Sequence, residues 1–185
     1  METGKAVLWT RQEQRVLDVL ENGEIYCVQK AYVDAKYQDV SWSMQTAYGF
    51  LIRKMSGLIP PLKGEESPVW LHGSPEATGM FSEAPLLKLE VPTDECLFFD
   101  RRKWNCILNL EYIAQSDNDA EAFQKKLKAQ GVTHSSLLLR TPYYPLLKME
   151  VIKSWDRLFE AAMPEIGFLQ ATVWHIKPEW VKTVS

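Results

Sequence analysis

The spacing of apolar residues predicts five helices along this chain. They are expected over residues 11–22, 41–57, 101–115, 118–130 and 154–164. In each stretch apolar side chains recur every three or four positions, which places them on one face of a helix. Gly23 and Gly57 stand where a glycine commonly ends a helix, and Asp100 is a good N-cap for the third helix. Only Phe123 and Leu127 form the apolar face of the fourth, which predicts a surface position.

Seven shorter stretches favour strands because they are rich in β-branched and aromatic residues or alternate between apolar and polar ones. They are expected over residues 5–9, 24–28, 68–72, 86–92, 95–99, 168–176 and 181–184. Within 86–92, Leu87, Leu89 and Val91 would share the buried face. Residues 132–151 contain two prolines and a Tyr-Tyr pair, which favours an ordered loop or a short edge strand.

The order of these elements defines the fold class that the sequence predicts. Helices and strands are interspersed, but without the regular βαβ alternation of a doubly wound sheet. The 185 residues suit one domain of ordinary size, and no repeat or linker divides them. We therefore expect a single α+β domain over residues 1–185, with a mostly antiparallel sheet, open to being split, flanked by several helices.

Composition and charge indicate which partners and which cellular location to expect. The net charge of -3 gives no reason to expect nucleic acid or a membrane as partner, and no apolar run approaches the ~20 residues of a membrane span. The first residues lack the pattern of a signal peptide. Cys27, Cys96 and Cys106 have no close pair spacing, so we expect reduced thiols and a cytoplasmic location. The seven tryptophans suit a core, and also a cleft that stacks a planar ligand.

Familiar catalytic signatures are absent from the sequence. It contains no glycine-rich phosphate loop of the GxGxxG or GxxxxGK[ST] type and no GxSxG nucleophile turn. The three histidines are widely spaced, and no HxxxH or CxxC pair exists, so no metal site is expected. A hydrolase using Cys106 or His72 stays a third hypothesis, because such a pairing would be spatial.

Polar residues inside or directly after apolar strands are the remaining candidates. Burying a polar group without a partner costs about 1–3 kcal/mol, so these side chains need internal partners or a wet cleft. Thr10, Arg11 and Gln12 follow the first strand, and His72 follows Pro68-Val69-Trp70-Leu71. A structural alternative exists for Thr10, which has Glu13 three residues later and can form a capping box for the first helix.

The last long strand carries a second polar face. Alternation places Gln170, Thr172 and Trp174 on one face of this strand, opposite small aliphatic residues. An amide, a hydroxyl and an indole make a suitable surface for a planar polar ligand. The alternative is that this face packs beneath a helix, with Gln170 bonded to nearby backbone.

Several motifs in a fixed order resemble a known family. They are LWTRQ (8–12), PVWLH (68–72), LLKLEVPTDECLFFD (86–100), WNCILN (104–109), SWDRLF (154–159) and QATVWHI (170–176). Together they resemble a bacterial family of small proteins described as domain of unknown function 3841. The sequence departs from the family at His72, where an aromatic is expected, and in segment 131–148. The resemblance implies kinship but no activity.

A more distant likeness is to ADP-ribosyltransferase-like domains, whose split antiparallel sheets surround an NAD cleft. That likeness implies that Thr10 or Arg11 would bind the adenosine-side ribose. Gln170 would take the place of the catalytic glutamate that holds the nicotinamide ribose. A glutamine has no negative charge to stabilise a cationic transition state, and losing one such group typically costs ~10²–10³ in rate.

Two main functions follow from these observations. The first is a non-catalytic interaction or ligand-binding module, whose exposed apolar patch is expected near Met80 and Phe81. The second is a nucleotide- or NAD-binding domain with Gln170 as the candidate catalytic residue. The site residues for a small-molecule or nucleotide ligand are Thr10, Arg11, Gln12, Trp70, His72, Gln170, Thr172 and Trp174.

Overall fold

Alternating apolar residues build the strands of this protein, as the sequence predicts for 86–92. A computed structural model describes residues 4–28, 42–79, 83–160 and 163–185. Leu87, Leu89 and Val91 are fully buried there. The strands of these residues are β1 Lys5–Arg11, β2 Tyr26–Cys27, β3 Val69–His72, β4 Leu86–Pro92, β5 Leu97–Asp100, β6 Leu169–Val173, β7 His175–Ile176 and β8 Val181–Val184.

Six of the strands form one sheet in the order β5-β6-β3-β1-β4-β8. Every neighbouring pair in this sheet is antiparallel. The other two strands, β2 and β7, pair with each other in a small antiparallel ribbon. The predicted α+β class with a mostly antiparallel sheet is therefore confirmed.

The helices match the predicted ones in part. Within the described residues they are α1 Gln14–Glu21, α2 Trp42–Leu58, α3 Arg101–Leu108, α4 Asp117–Ala129, α5 Ser135–Leu139 and α6 Pro145–Ser154. Gly23 follows α1 with a φ of 79°, a left-handed conformation that glycine adopts without strain, as predicted for a helix end. The Asp100 side chain accepts a hydrogen bond from the Arg102 N–H and caps α3, also as predicted.

Several predicted boundaries are wrong, each for a local reason. Gly57 lies inside α2, which continues to Leu58. The third helix stops at Leu108 instead of residue 115, because Leu110 takes a φ of 58° and turns the chain out of the helix. The strands expected over 24–28 and 95–99 are shorter, at Tyr26–Cys27 and Leu97–Asp100.

The segment 132–151 forms two helices, α5 and α6, where a loop or an edge strand is expected. Pro145 is the first residue of α6, a position where the N–H that proline lacks is not needed for the helix. Tyr144, with a φ of 61°, redirects the chain into that helix. The helix predicted over 154–164 is only a 3₁₀ turn, Trp155–Leu158, which continues directly from α6.

Two apolar clusters cover the two faces of the sheet. One lies between the sheet and α1, where Val16, Leu17 and Leu20 pack against strand residues such as Leu8 and Leu71. The other lies between β5, β6, β3 and the helices α2 to α6. This second cluster is rich in aromatic rings and holds four of the seven tryptophans: Trp70, Trp104, Trp155 and Trp174.

Candidate functional site

The strands β1 and β3 meet at a single residue pair and diverge beyond it. Trp9 pairs with His72, and no further pair joins the two strands. β1 instead stays with β4 as far as Arg11, which pairs with Leu86, and the Gln12 N–H donates to the Pro85 carbonyl. The sheet is therefore split at this end, and the gap opens a pocket of about 420 Å³.

This pocket brings together five of the eight predicted site residues. Its lining comprises Thr10, Arg11, Gln12, Glu13, Arg15, Val16, Tyr26, Val28, Tyr48, Ser67, Pro68, Val69, Trp70, His72, Thr78 and Ala84. Thr10, Arg11 and Gln12 come from the end of β1, and Trp70 and His72 come from β3. Polar side chains after an apolar strand are a local signal, and the structure places them at the rim of a pocket.

Thr10 does not cap the first helix, which corrects the capping-box expectation. Because β1 and β4 remain paired through Arg11, Thr10 is still extended strand, and the residue at the N-cap position of α1 is Glu13. Thr10 is 3% exposed, and its Oγ1 accepts a hydrogen bond of 2.9 Å from Gln12 Nε2. This bond holds the Gln12 amide at the pocket wall.

Arg11 reaches from the end of β1 to Ala84, the residue before Pro85 at the start of the neighbouring strand β4. Its Nη1 donates to the Ala84 carbonyl at 2.6 Å. Its Nε is buried and has no hydrogen-bond partner among the described residues. A buried donor without a partner costs about 1–3 kcal/mol, so this atom calls for an acceptor.

His72 carries a second unsatisfied atom across the gap. Its Nδ1 is buried without a partner in the described part of the chain. Burial, and less strongly the nearby charge of Arg101, lowers the pKa of His72 to about 4. The ring is therefore neutral near pH 7, and one of its nitrogens can accept a hydrogen bond while the other donates.

Aromatic rings form the wall beside β3. The rings of Tyr48 and Trp70 meet edge to face with centroids 5.5 Å apart. The ring centroid of Trp70 also lies 5.3 Å from that of Trp104 and 6.2 Å from that of Phe99, so packing holds the indole in place. Tyr26 from β2 lines the same pocket. Tyr26 and Tyr48 are not among the site residues predicted from the sequence. The only signal was the position of Tyr48 on the apolar stripe of residues 41–57, which equally indicates core.

Gln170, Thr172 and Trp174 do not line this pocket. β3 lies between β1 and β6, and His72 pairs with Gln170 on its far side. Thr172 and Trp174 are buried beneath α2, where Thr172 Oγ1 lies 3.5 Å from Met55 Sδ and Trp174 Nε1 donates to the Ile59 carbonyl at 2.6 Å. Gln170 is 7% exposed, and its Oε1 has no partner among the described residues.

The cysteines have the electrostatics of structural thiols. Burial is the largest cause that raises the pKa of Cys27 and Cys106, and it raises that of Cys96 to about 12. A nucleophilic cysteine needs a lowered pKa, so the surroundings of Cys106 do not favour the hydrolase hypothesis. In the described residues no three His, Cys, Asp or Glu side chains are grouped as metal ligands. None of the described helices is long and apolar enough to cross a membrane.

Fold and pocket together define an α+β domain with a split antiparallel sheet and a cationic, aromatic-walled pocket in the split. The family model for the domain of unknown function DUF3841 matches residues 7–182, and the chain belongs to that family. No curated protein and no solved structure matches the chain.

Proposed function

We propose that the protein is a non-catalytic ligand-binding module that takes a nucleotide-type small molecule, such as NAD, in the pocket between β1 and β3. One observation carries the proposal. Arg11 Nε and His72 Nδ1, on the two strands that diverge, are both buried without a partner among the described residues and belong to side chains that line the same pocket. A ligand with hydrogen-bonding oxygens or ring nitrogens would satisfy both.

The charge and shape of the pocket support this class of ligand. Among the described lining residues, Arg11, Arg15 and Glu13 give a net positive charge, and the neutral ring of His72 adds none. An arginine is suited to phosphate and carboxylate groups. Tyr26, Tyr48 and Trp70 offer an aromatic wall to a planar ring. The volume of about 420 Å³ lies within the range of roughly 300–1,000 Å³ common for small-molecule sites.

The position of Gln170 supports binding without group transfer. An ADP-ribosyltransferase-like reaction would need Gln170 beside the ligand, whereas Gln170 is buried on β6 and does not line the pocket. The proposal therefore assigns ligand contacts to Thr10, Arg11, Gln12, Trp70 and His72 only. We further propose a cytoplasmic, bacterial protein, which the three free thiols and the family resemblance support.

Binding of NAD, ADP-ribose and AMP to the purified protein, followed by thermal unfolding and by calorimetry, tests the proposal. A ligand at about 100 times its Kd would stabilise the protein by about 2.7 kcal/mol, or roughly 5–10 °C for a chain of this size. Arg11→Met should weaken binding about tenfold or more, because it removes the cation and the unsatisfied donor. Arg53→Met, at an exposed arginine of α2 outside the pocket, is the matched control and should bind normally.

Two results would overturn the proposal. One is the absence of any shift with all three ligands at millimolar concentration. The other is equal binding by the native protein and Arg11→Met. Turnover of NAD that Gln170→Ala abolishes would instead favour the transferase alternative.

A further inference from the structure

A row of large apolar side chains is exposed on the face of α6. Leu146, Met149 and Ile152 are three residues apart and form one strip along the helix surface. Leu146 is 79% exposed and Met149 66%, and Tyr143, just before the helix, is 69% exposed. We call these four residues the α6 surface. Single exposed apolar residues are ordinary, but a contiguous strip of this kind marks an interaction site.

Packing contacts on the opposite side of α6 fix the orientation of the helix, so the apolar strip faces outward in a defined position. Val151 and Ser154 are buried against the aromatic cluster, and Leu147 packs onto it. Lys126 Nζ of α4 pairs with Glu150 Oε1 at 2.5 Å and ties the two helices together. The strip therefore lies on a rigid support.

Basic side chains outnumber acidic ones in and directly before α6. Residues 140–153 contain Arg140, Lys148 and Lys153 and one acidic residue, Glu150. Glu150 is paired with Lys126 of α4. Exposed Arg140 and Lys153 lie before and at the end of the strip, at the positions of a charged rim.

A hollow of about 560 Å³ lies between the start of α2 and the chain segment that leads into α6. It is lined by Trp42, Ser43, Leu139, Arg140 and Thr141. Lys148 of α6 donates through Nζ to the Thr141 carbonyl, so the wall of the hollow is joined to α6. Trp42 is about half exposed there. A hollow with an indole and a guanidinium can receive one anchoring side chain of a partner.

We propose that the α6 surface docks an acidic amphipathic segment of a partner protein, with its apolar side chains on Leu146 and Met149 and its carboxylates on the basic rim. Charge complementarity identifies the occupant, because Arg140, Lys148 and Lys153 attract carboxylates and would repel a second copy of the same surface. The hollow favours a protein segment over a flat lipid surface. The apolar strip does not suit the phosphates of a nucleic acid.

Selection from a displayed library of random peptides about 15 residues long tests the proposal on the full-length protein. The expected result is enrichment of peptides with net negative charge and apolar residues at helical spacing. Their Kd should rise about tenfold or more for Leu146→Glu and Met149→Glu. Both residues are exposed, so these variants should melt as the native protein does. Val7→Glu, at an exposed residue of β1, is the matched control and should bind normally.

Charge-reversal variants measure the contribution of the basic rim separately from that of the apolar strip. Lys153→Glu should weaken the selected peptides, whereas Lys63→Glu, far along the chain in an exposed turn, should not. The proposal is overturned if no peptide is enriched, if the enriched peptides are neutral or basic, or if they bind Leu146→Glu unchanged. Binding to phosphatidylserine vesicles without peptide binding would assign the surface to membranes. A dimer in sedimentation that Met149→Glu dissociates would assign it to self-association.

Discussion

Trp9 and His72 form the one residue pair that joins β1 to β3, and they stand at the point where the sheet splits. Arg11 lies two residues beyond Trp9 on the same face of β1, and Trp70 lies two residues before His72 on the same face of β3. The pocket is lined by the side chains that this divergence separates. A single pair thus marks both the point where the sheet splits and the edge of the candidate site.

The burial of His72 predicts that stability depends on pH. Its pKa is about 4 in the folded protein and 6.5 in an ordinary exposed histidine. As pH falls from about 6.5 to about 4, the unfolded chain binds a proton that the folded protein excludes, so the free energy of unfolding falls. The loss should be roughly 2–3 kcal/mol, since His72 is only partly buried.

Urea unfolding of the native protein and of His72→Phe at several pH values checks this prediction. The difference in the free energy of unfolding between the two should change across this pH window, because the variant has no proton to take up. His134→Phe, at an exposed histidine, is the matched control and should follow the native profile. A constant difference between His72→Phe and native protein would contradict the assigned pKa.

Gly73, directly after His72, is predicted to tolerate no side chain. A Cβ at this position would lie 2.5 Å from the Ile166 carbonyl oxygen and 2.8 Å from Leu169 Cβ. Gly73→Ala should therefore destabilise the protein by about 1–3 kcal/mol, because backbone has to move. Gly57→Ala is the control: it lies in α2, where a Cβ would meet no atom of the described residues within 4 Å, and it should stabilise by ~0.5–1 kcal/mol. Urea unfolding measures both, and a neutral Gly73→Ala would contradict the close approach.

The features of the fold that depend on residues close together in the sequence could be predicted from it. The alternation in 86–92, the cap at Asp100 and the polar residues after the first and third strands are local signals, and they lead to five pocket residues. The order of the strands is not local. The placement of β3 between β1 and β6 removes Gln170 from the pocket, and no pattern within residues 168–176 indicates this placement.

The helix that begins at Pro145 was not predicted, because in a sequence a proline at the start of a helix looks the same as a proline that breaks one. Met80 and Phe81, predicted as an apolar patch, lie outside the described residues.

Trp174 is predicted to matter for stability through its indole N–H. That group donates to the Ile59 carbonyl at 2.6 Å and joins the residue after β6 to the end of α2. Trp174→Phe removes the bond and part of a buried ring, and it should cost about 1–3 kcal/mol. Trp42→Phe, at a tryptophan that is 49% exposed, should change stability by less than about 0.5 kcal/mol. Similar thermal unfolding of both variants would show that the Trp174 bond contributes little.

Glu65 and His175 form a buried pair that should be costly to break. Glu65 Oε1 lies 2.5 Å from His175 Nδ1, and Glu65 Oε2 accepts from the Leu62 N–H at 2.6 Å. On the other side, His175 Nε2 lies 3.0 Å from Glu95 Oε2, and Lys177 Nζ lies 2.8 Å from Glu95 Oε1. The carboxylate of Glu65 thus joins the turn before β3 to β7.

Glu65→Gln keeps the size of the side chain and removes its charge. It should destabilise the protein by about 1–3 kcal/mol, because a glutamine has one acceptor oxygen and cannot accept from both His175 and the Leu62 N–H. Glu24→Gln, at an exposed glutamate, is the matched control and should be neutral within about 0.5 kcal/mol. The free energy of unfolding in urea distinguishes the two. Since Ser67 and Pro68 line the pocket only two and three residues after Glu65, Glu65→Gln should also weaken any ligand found there. Equal stability of Glu65→Gln and Glu24→Gln would mean that the buried pair does not hold this wall in place.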